Sequence, residues 1–330
     1  MGRQSKAVEL FLKQSEDSRY KYVKPQVTGD GEFLVSEVKR PSIGESGIGL
    51  PLCFDQTIHK VDVKSGMIRI THPVTESDVP VLSTTWVQVA EGAHVAIIEE
   101  FEGTGTAVQS GVSVITTAKD AVVDYIRDIR LKKERTGILK CVIEAFGPMT
   151  RAWQVARTSG HSDASLIVRL LTKGARVDIM DVAMGNGSSE INNDISVEHK
   201  ASNTKSNVIS RALSFESARI SGKGNATLPE IAAGAETSVK MKGLLMGTGD
   251  IEMTPKLNIN QLDVIASHGA SIGPLDPNEM FYMNSRGIDK THARRLLLNA
   301  FVMPLLSGMP SDPIIESIIN DLNKNIGGIK

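Results

Sequence analysis

The chain has 330 residues, a formal net charge of -1, and only 4% aromatic residues against 29 glycines. Its near-neutral balance offers no electrostatic handle for nucleic acid or an anionic membrane, and the length allows one large domain or two ordinary ones. The two cysteines, Cys53 and Cys141, stand far apart in no ligand spacing. That excludes a disulfide framework and a self-contained zinc or iron–sulfur motif, and it suits a reducing, cytoplasmic compartment.

The opening residues, Met1 to Lys6, have no apolar run behind them, and Lys6 stands where a myristoylation signal needs Ser or Thr. Neither a secretory signal nor a lipid anchor is expected there. Residues up to about 20 read as a short amphipathic helix with Val8, Leu10, Phe11 and Leu12 on one face. From Tyr22 to Pro51 frequent Gly and Pro predict irregular connections, so 1–56 is taken as an N-terminal helical and irregular region.

From Thr57 the texture changes to short alternating runs rich in β-branched residues, such as Met67–Ile70, Trp86–Val89, His94–Ile98, Ser165–Leu171 and Arg176–Met180. A small tripeptide recurs between them: Glu91-Gly92-Ala93, Lys173-Gly174-Ala175, Gly234-Ala235 and His268-Gly269-Ala270. Quasi-repeated short strands joined by small-residue corners suit a β-solenoid core over 57–273, and a β-sandwich is the alternative that the repeat leaves open. One interruption stands out. Asp120 to Lys133 is predicted as a helix or insertion, with Val122, Val123, Ile126 and Ile129 apolar. Its basic cluster of Arg127, Arg130, Lys132 and Lys133 is read as a solvated face, with partner binding as the alternative. No stretch has the apolar length that spans a bilayer.

Residues 274–330 read as helical. Asp276-Pro277 supplies a cap and a first-turn proline, Gly287 a stop, Asp289 a second start and Asp312-Pro313 a third. The apolar faces of these helices are expected to pack on each other and cap the last turn of a solenoid, with partner binding as the other use of such faces.

Candidate ligands are few. His59, His72, His94, His161 and His292 have the surroundings of surface or turn residues, and His199 opens a polar run that suits an edge role. His268, between Ser267 and Gly269, is placed after the last strand, where a neutral imidazole can act as an iron ligand. His-Glu-x-x-His and Walker A sequences do not occur.

Asp263-Val264-Ile265-Ala266-Ser267-His268-Gly269-Ala270-Ser271-Ile272-Gly273, followed by Phe281-Tyr282, Ser285-Arg286-Gly287-Ile288, Ala293 and Ala300-Phe301, resembles the C-terminal signature of the SufB/SufD family of iron–sulfur cluster assembly scaffolds. His199 to Ser206, and Leu244-Leu245 through Pro255-Lys256-Leu257, are similar to its preceding segments. The resemblance implies a mainly β chain, a right-handed parallel β-helix flanked by N-terminal and C-terminal α-helical regions. It also implies a non-catalytic role: pairing through the β-helix with a SufB-like subunit or a second copy, and docking of a SufC-type ABC ATPase on the C-terminal helices. Residues carried over for that docking are Phe281, Tyr282, Arg286, Gly287, Ala293 and Phe301. The implied cargo is a transient iron–sulfur cluster shared with the partner rather than a permanent cofactor, with His268, His199 and Cys141 as candidate site residues. SufB-like members carry a cysteine where this chain has Met241 and a glutamate where it has Gly269, and SufD-like members carry a cysteine where it has Ala266. The match is therefore closer to the SufD branch, with thiols missing. Two other readings stand beside it: a polysaccharide-active solenoid enzyme, disfavoured by the low aromatic content, and a purely architectural subunit.

Overall fold

Alternation with period two buries one side of a strand, and the alternating runs beyond residue 57 do form strands. The computed structural model describes residues 21–39, 57–72, 80–103 and 106–327. The amphipathic segment expected before residue 21 lies outside them, as does Cys53. Strands alternate between two sheets. The first contains β4 (Thr57–Val63), β6 (Val81–Val89), β8 (Val108–Thr117), β10 (Thr136–Ala145), β12 (His161–Leu170), β14 (Glu190–His199), β16 (Arg219–Leu228) and β18 (Asp250–Ile259). The second contains β5 (Gly66–His72), β7 (His94–Gly103), β9 (Val122–Leu131), β11 (Met149–Thr158), β13 (Arg176–Gly185), β15 (Lys205–Ser214), β17 (Ala235–Leu245) and β19 (Val264–Gly273).

Within each sheet successive members pair in parallel, residue on residue. The result is a parallel β-solenoid of about seven turns rather than a sandwich. The strands of the second sheet from β7 on begin 27 to 30 residues apart, the length of one turn. Gly92, Gly174 and Gly234 turn the corners with positive φ, so three of the four repeated tripeptides mark real corners. The fourth does not: Ser267-His268-Gly269-Ala270 lies inside β19.

Residues 21–39, expected to be irregular, hold three strands. β1 (Lys21–Tyr22) adds to β6, while β2 (Gln26–Gly29) and β3 (Phe33–Lys39) run antiparallel to β5 and β4 and close the starting edges of both sheets. The glycines there mark close approach rather than a broken chain. A Cβ on Gly31 would fall 1.8 Å from the Ser65 carbonyl oxygen.

The predicted helix over 120–133 is strand β9. Its apolar residues fit a helical spacing because both faces of the strand are buried. Val123, Tyr125, Ile129 and Leu131 point into the solenoid, and Ile126 points outward beneath the C-terminal helices. Arg127, read as solvated, is fully buried in the interior.

Three helices follow β19: α1 (Pro277–Ser285), α2 (Lys290–Leu306) and α3 (Asp312–Gly327). Asp276 caps α1 through the Asn278 amide at 2.8 Å, and Asp289 caps α2 through the amides of Thr291 and His292. They do not cap the last turn. Leu298, Val302, Leu305, Ile314, Ile318 and Leu322 pack against outward residues of the second sheet, including Ile126, Trp153, Val155, Val182, Leu213 and Phe215. This second core lies on the flank of the solenoid, where outward apolar residues on stacked strands would otherwise face water. Polar bonds fix its register. The Trp153 indole N–H donates to the Leu305 carbonyl at 2.9 Å. Arg157, nearly buried, forks onto Asp128 at 2.7 Å and reaches Asp321 at 2.8 Å and Ser317 at 2.9 Å on α3.

Asp321 is partly exposed, whereas Asp128 keeps the Arg157 charge compensated without it. Asp321→Ala is therefore expected to loosen α3 alone, by about 1 kcal/mol. Hydrogen exchange should show faster opening across 312–327 and unchanged protection in β11 and β13.

Candidate functional site

The solenoid begins under β2 and β3, but among the described residues no strand or helix lies beyond β18 and β19. Side chains that earlier turns would bury are open at this end. The inward positions of β19 are Val264, Ala266, His268, Ala270 and Ile272, stacked on the inward residues of β17, with His268 over Val239 and Ala270 over Met241. His268 thus ends an interior column that descends through Val239, Val208, Ile179, Ala152 and Tyr125. It is exposed, and among the described residues nothing is stacked above it. Around this mouth Ile265 is 71% exposed and Leu262 wholly so, with Ile259 and Ile272 also open to solvent.

Across the mouth, the Asp250 and Asn260 amides bond to the Ala218 and Leu228 carbonyls. Even-numbered residues of β18 therefore direct their backbone groups at β16, and odd-numbered ones at the open end. Pro255 is odd-numbered, so its missing N–H costs the sheet nothing. Its carbonyl faces the mouth and lies 3.3 Å from His268 Nδ1.

The other two candidates are not brought to this place. Cys141 belongs to the column Cys141–Leu166–Ile195–Gly224–Pro255, four strand spacings or about 19 Å below β18. It is fully buried, and burial pushes its thiol up to about 12, which leaves no thiolate to bind metal. His199 is also buried, and burial lowers it to about 4. Thr204 donates its hydroxyl to the Ala201 carbonyl, so its oxygen accepts from His199 Nδ1 at 2.7 Å. The Ser206 hydroxyl then serves Nε2 at 2.9 Å, and neither ring nitrogen is left for a ligand.

Two histidines read as surface residues are core residues, His59 and His72. His72 stacks on Phe101 with ring centroids 4.0 Å apart, and its Nε2 meets Glu99 Oε1 at 2.9 Å. Burial alone would raise Glu99, but bonds from His72 and Ser113 and the charge of Arg127 hold its carboxyl down at about 2. Tyr125 adds a further hydroxyl bond. Glu99 also begins a column that sequence reasoning missed: Glu99, Arg127, Gln154, Asp181 and Ser210 hold one inward position on five successive strands, before Met241 and Ala270. Arg127 donates to Gln154 at 3.3 Å and to the Ser165 carbonyl at 3.0 Å. Asp181 accepts from Ser210 at 2.6 Å and Asn193 at 2.7 Å, yet burial still raises it to about 6. The only signal in the sequence is one polar residue recurring once per turn.

The C-terminal candidates divide. Phe281 and Tyr282 are 75% and 57% exposed on α1, a helix with no buried residue, and the Arg286 guanidinium lies 5.3 Å from the Tyr282 ring centroid. Gly287 ends α1 with φ of 83°. Ala293 is fully buried in α2, and Phe301 packs on the flank beneath Arg211. Leu296 and Met303 are also exposed on α2. Among the described residues, no group of three or more His, Cys, Asp or Glu is placed to hold a metal ion, and no helix is long and apolar enough to cross a membrane.

Residues 72–301 match the family described as SUF system FeS cluster assembly, SufBD core domain. An iron–sulfur cluster assembly SufBD family protein of Mycobacterium leprae is 29% identical over 143 residues, 43% of this chain and 16% of that protein. The iron–sulfur cluster assembly protein SufD of Bacillus subtilis is 23% identical over 252 residues, 71% of this chain and 57% of the relative. SufD of Escherichia coli is 28% identical over 116 residues, 33% of this chain and 27% of the relative. The chain thus spans less than two thirds of the length of each of these relatives.

The buried imidazole makes a prediction about pH. His199 binds its proton near 4 in the folded chain against an ordinary 6.5, so its contribution is intact above 6.5 and is lost as pH falls toward 4, by about 3 kcal/mol. Asp181 acts in the opposite sense, its contribution being lost as pH rises through 6. Urea titrations of wild type and His199→Asn between pH 7 and 4 should show stability falling more steeply in the wild type. Parallel profiles would mean that His199 charges freely in the folded state.

Proposed function

From the premise that this chain belongs to the SufBD core family of the SUF iron–sulfur cluster assembly system, we propose that it works as a SufD-like scaffold subunit. In this reading the open end of the solenoid pairs with a SufB-like subunit or a second copy, α1 docks a SufC-type ABC ATPase, and a transient cluster is built at the paired mouth. The observation that carries it is the unfinished last turn: an apolar rim and two open strand edges surround an interior column that ends on His268. A covering partner would bury Ile265 and Leu262 and satisfy the backbone groups of β19.

The cluster is cargo, and the chain's own donors fit only a share in holding it. His268 offers one imidazole, whereas clusters are ordinarily held by thiolates. Cys141 is about 19 Å below β18, and in this reading the remaining ligands come from the partner. What His268 does here is hold a nitrogen at the seam, oriented by the Pro255 carbonyl. ATPase docking on α1 is supported by the exposure of Phe281 and Tyr282 on a helix that gives nothing to the flank core. Ala293 and Phe301 are used in packing and act by positioning α2.

Anaerobic co-expression with a SufB-like subunit and a SufC-type ATPase tests both surfaces. Leu262→Asp with Ile265→Asp should weaken pairing at least about tenfold by light scattering, with the melting temperature unchanged because both side chains are exposed. Assembly that survives this change would place the seam elsewhere.

Phe281→Ala with Tyr282→Ala should remove the ATPase from the purified complex and leave the pair intact. Full retention of the ATPase would exclude α1 as its dock.

A further inference from the structure

Across neighbouring strands of the second sheet, charges of opposite sign commonly face each other: Glu102 meets Arg130, Asp124 meets Arg151 and Lys205 meets Glu236. Where like charges face each other, a carboxylate stands beside each. Arg130 and Arg157 are register partners, but Glu102 lies 3.3 Å from the first and Asp128 2.7 Å from the second. Arg176 and Lys205 also face each other, and Asp178 and Glu236 answer them at 3.0 and 2.7 Å. Arg211 and Lys242 break this pattern. They are register partners on β15 and β17, with backbones about 4.8 Å apart, and exposed Lys240 projects from the same outer face two residues along. Among the described residues, none of the three forms an ion pair with a carboxylate. The positions that face the two lysines from β19 are Gly269 and Ser271, which bring no charge.

The Arg211 guanidinium is held half-buried, 5.2 Å from the Phe301 ring of α2, and donates to the Ser210 carbonyl at 3.1 Å. A Cβ on Gly269 would meet nothing within 4 Å, so the flank is open above Lys240. β19 leads directly into α1, where the exposed Arg286 beside Tyr282 extends the same sign of charge. Facing cations without a counterion destabilise the isolated chain. A local rule broken at such a cost is a mark of a binding surface. We propose that Arg211, Lys240 and Lys242 form a landing surface for an acidic segment of the ATPase that docks on α1. The inference rests on the docking reading above and adds what that partner must carry: carboxylates placed beside the root of α1. Exposed lysines at the edge of a contact steer the encounter and set partner choice more than they tighten the final complex.

Stopped-flow association of the full chain with a SufC-type ATPase, measured across a salt series, tests the surface. Lys240→Glu with Lys242→Glu should slow association at least about tenfold at low salt. The variant and wild-type rates should converge at about 0.5 M salt, where the screening length falls to about 4 Å. Lys240→Gln with Lys242→Gln should fall between them. The isolated charge-reversed chain should melt no lower than the wild type, since both lysines are exposed and Lys242→Glu sets an acid opposite Arg211. An unchanged association rate and salt slope in the charge-reversed chain would overturn the landing surface and leave the dock on α1 standing. A wild-type chain that binds no ATPase would remove the dock, and the landing surface with it.

Discussion

Everything in this molecule follows from a hydrogen-bond ladder that runs from turn to turn rather than closing on itself. Each strand is satisfied by the equivalent strand one turn before and one turn after, so the stack cannot end without leaving a row of unpaired amides and carbonyls. At the start the chain answers with β2 and β3, laid antiparallel on the edges of β5 and β4. At the finish the two edges are treated differently. β18 presents Pro255 toward the opening and exposes Asp250, Glu252 and Lys256 along its outer face, features that discourage further pairing. β19 has no proline and no charged residue among its ten. The edge that carries His268 is thus the one left able to accept another strand.

The same ladder explains the polar interior. In-register stacking places like positions above one another, so a polar residue introduced at one turn is most cheaply satisfied by polar residues at the same position in the next. Glu99, Arg127, Gln154, Asp181 and Ser210 are such a column. A lone buried carboxylate would cost several kcal/mol, whereas Glu99 here meets His72, Ser113 and Tyr125 and feels the Arg127 charge. The column stops where Met241 follows Ser210, and Ala270 ends it at the mouth.

Much of the fold was legible because period-two alternation is a local property, and the strands at 67–70, 86–89, 94–98 and 176–180 are where it predicts them. What failed depended on surroundings that the sequence does not display. β9 is buried on both faces, so its apolar residues lose their alternation and mimic a helix. Corners were recognised where glycine takes the left-handed position, but Asp120, Glu134, Asn203 and Glu216 take that position in other turns, which hides the repeat. His268-Gly269-Ala270 copies the corner tripeptide without the conformation. It sits five residues into β19, and Gly269 is not among the glycines with positive φ. Among the site candidates, His268 lies at the open end, inside β19 rather than after it, whereas the burial of His199 and Cys141 depends on which face of a strand each occupies and how many turns lie above it.

The helices show how much of a C-terminal surface remains for a partner once packing has taken its part. The apolar stripes of α2 and α3 are used on Trp153, Val155, Val182 and Leu213, and the Trp153 and Arg157 bonds hold them in register. The last turn gains no cover from this, because the helices lie beside the stack and not above it. α1 is the exception, since none of its residues is buried and it joins the end of β19 to the start of α2. A load applied at α1 therefore has two routes into the solenoid. One runs directly through Gly273 into the strand that carries His268. The other runs through α2 into β11, β13 and β15, two to four strand spacings below it in the same sheet. The first route is short and ends on an edge with nothing stacked above it. The second ends on strands paired on both sides.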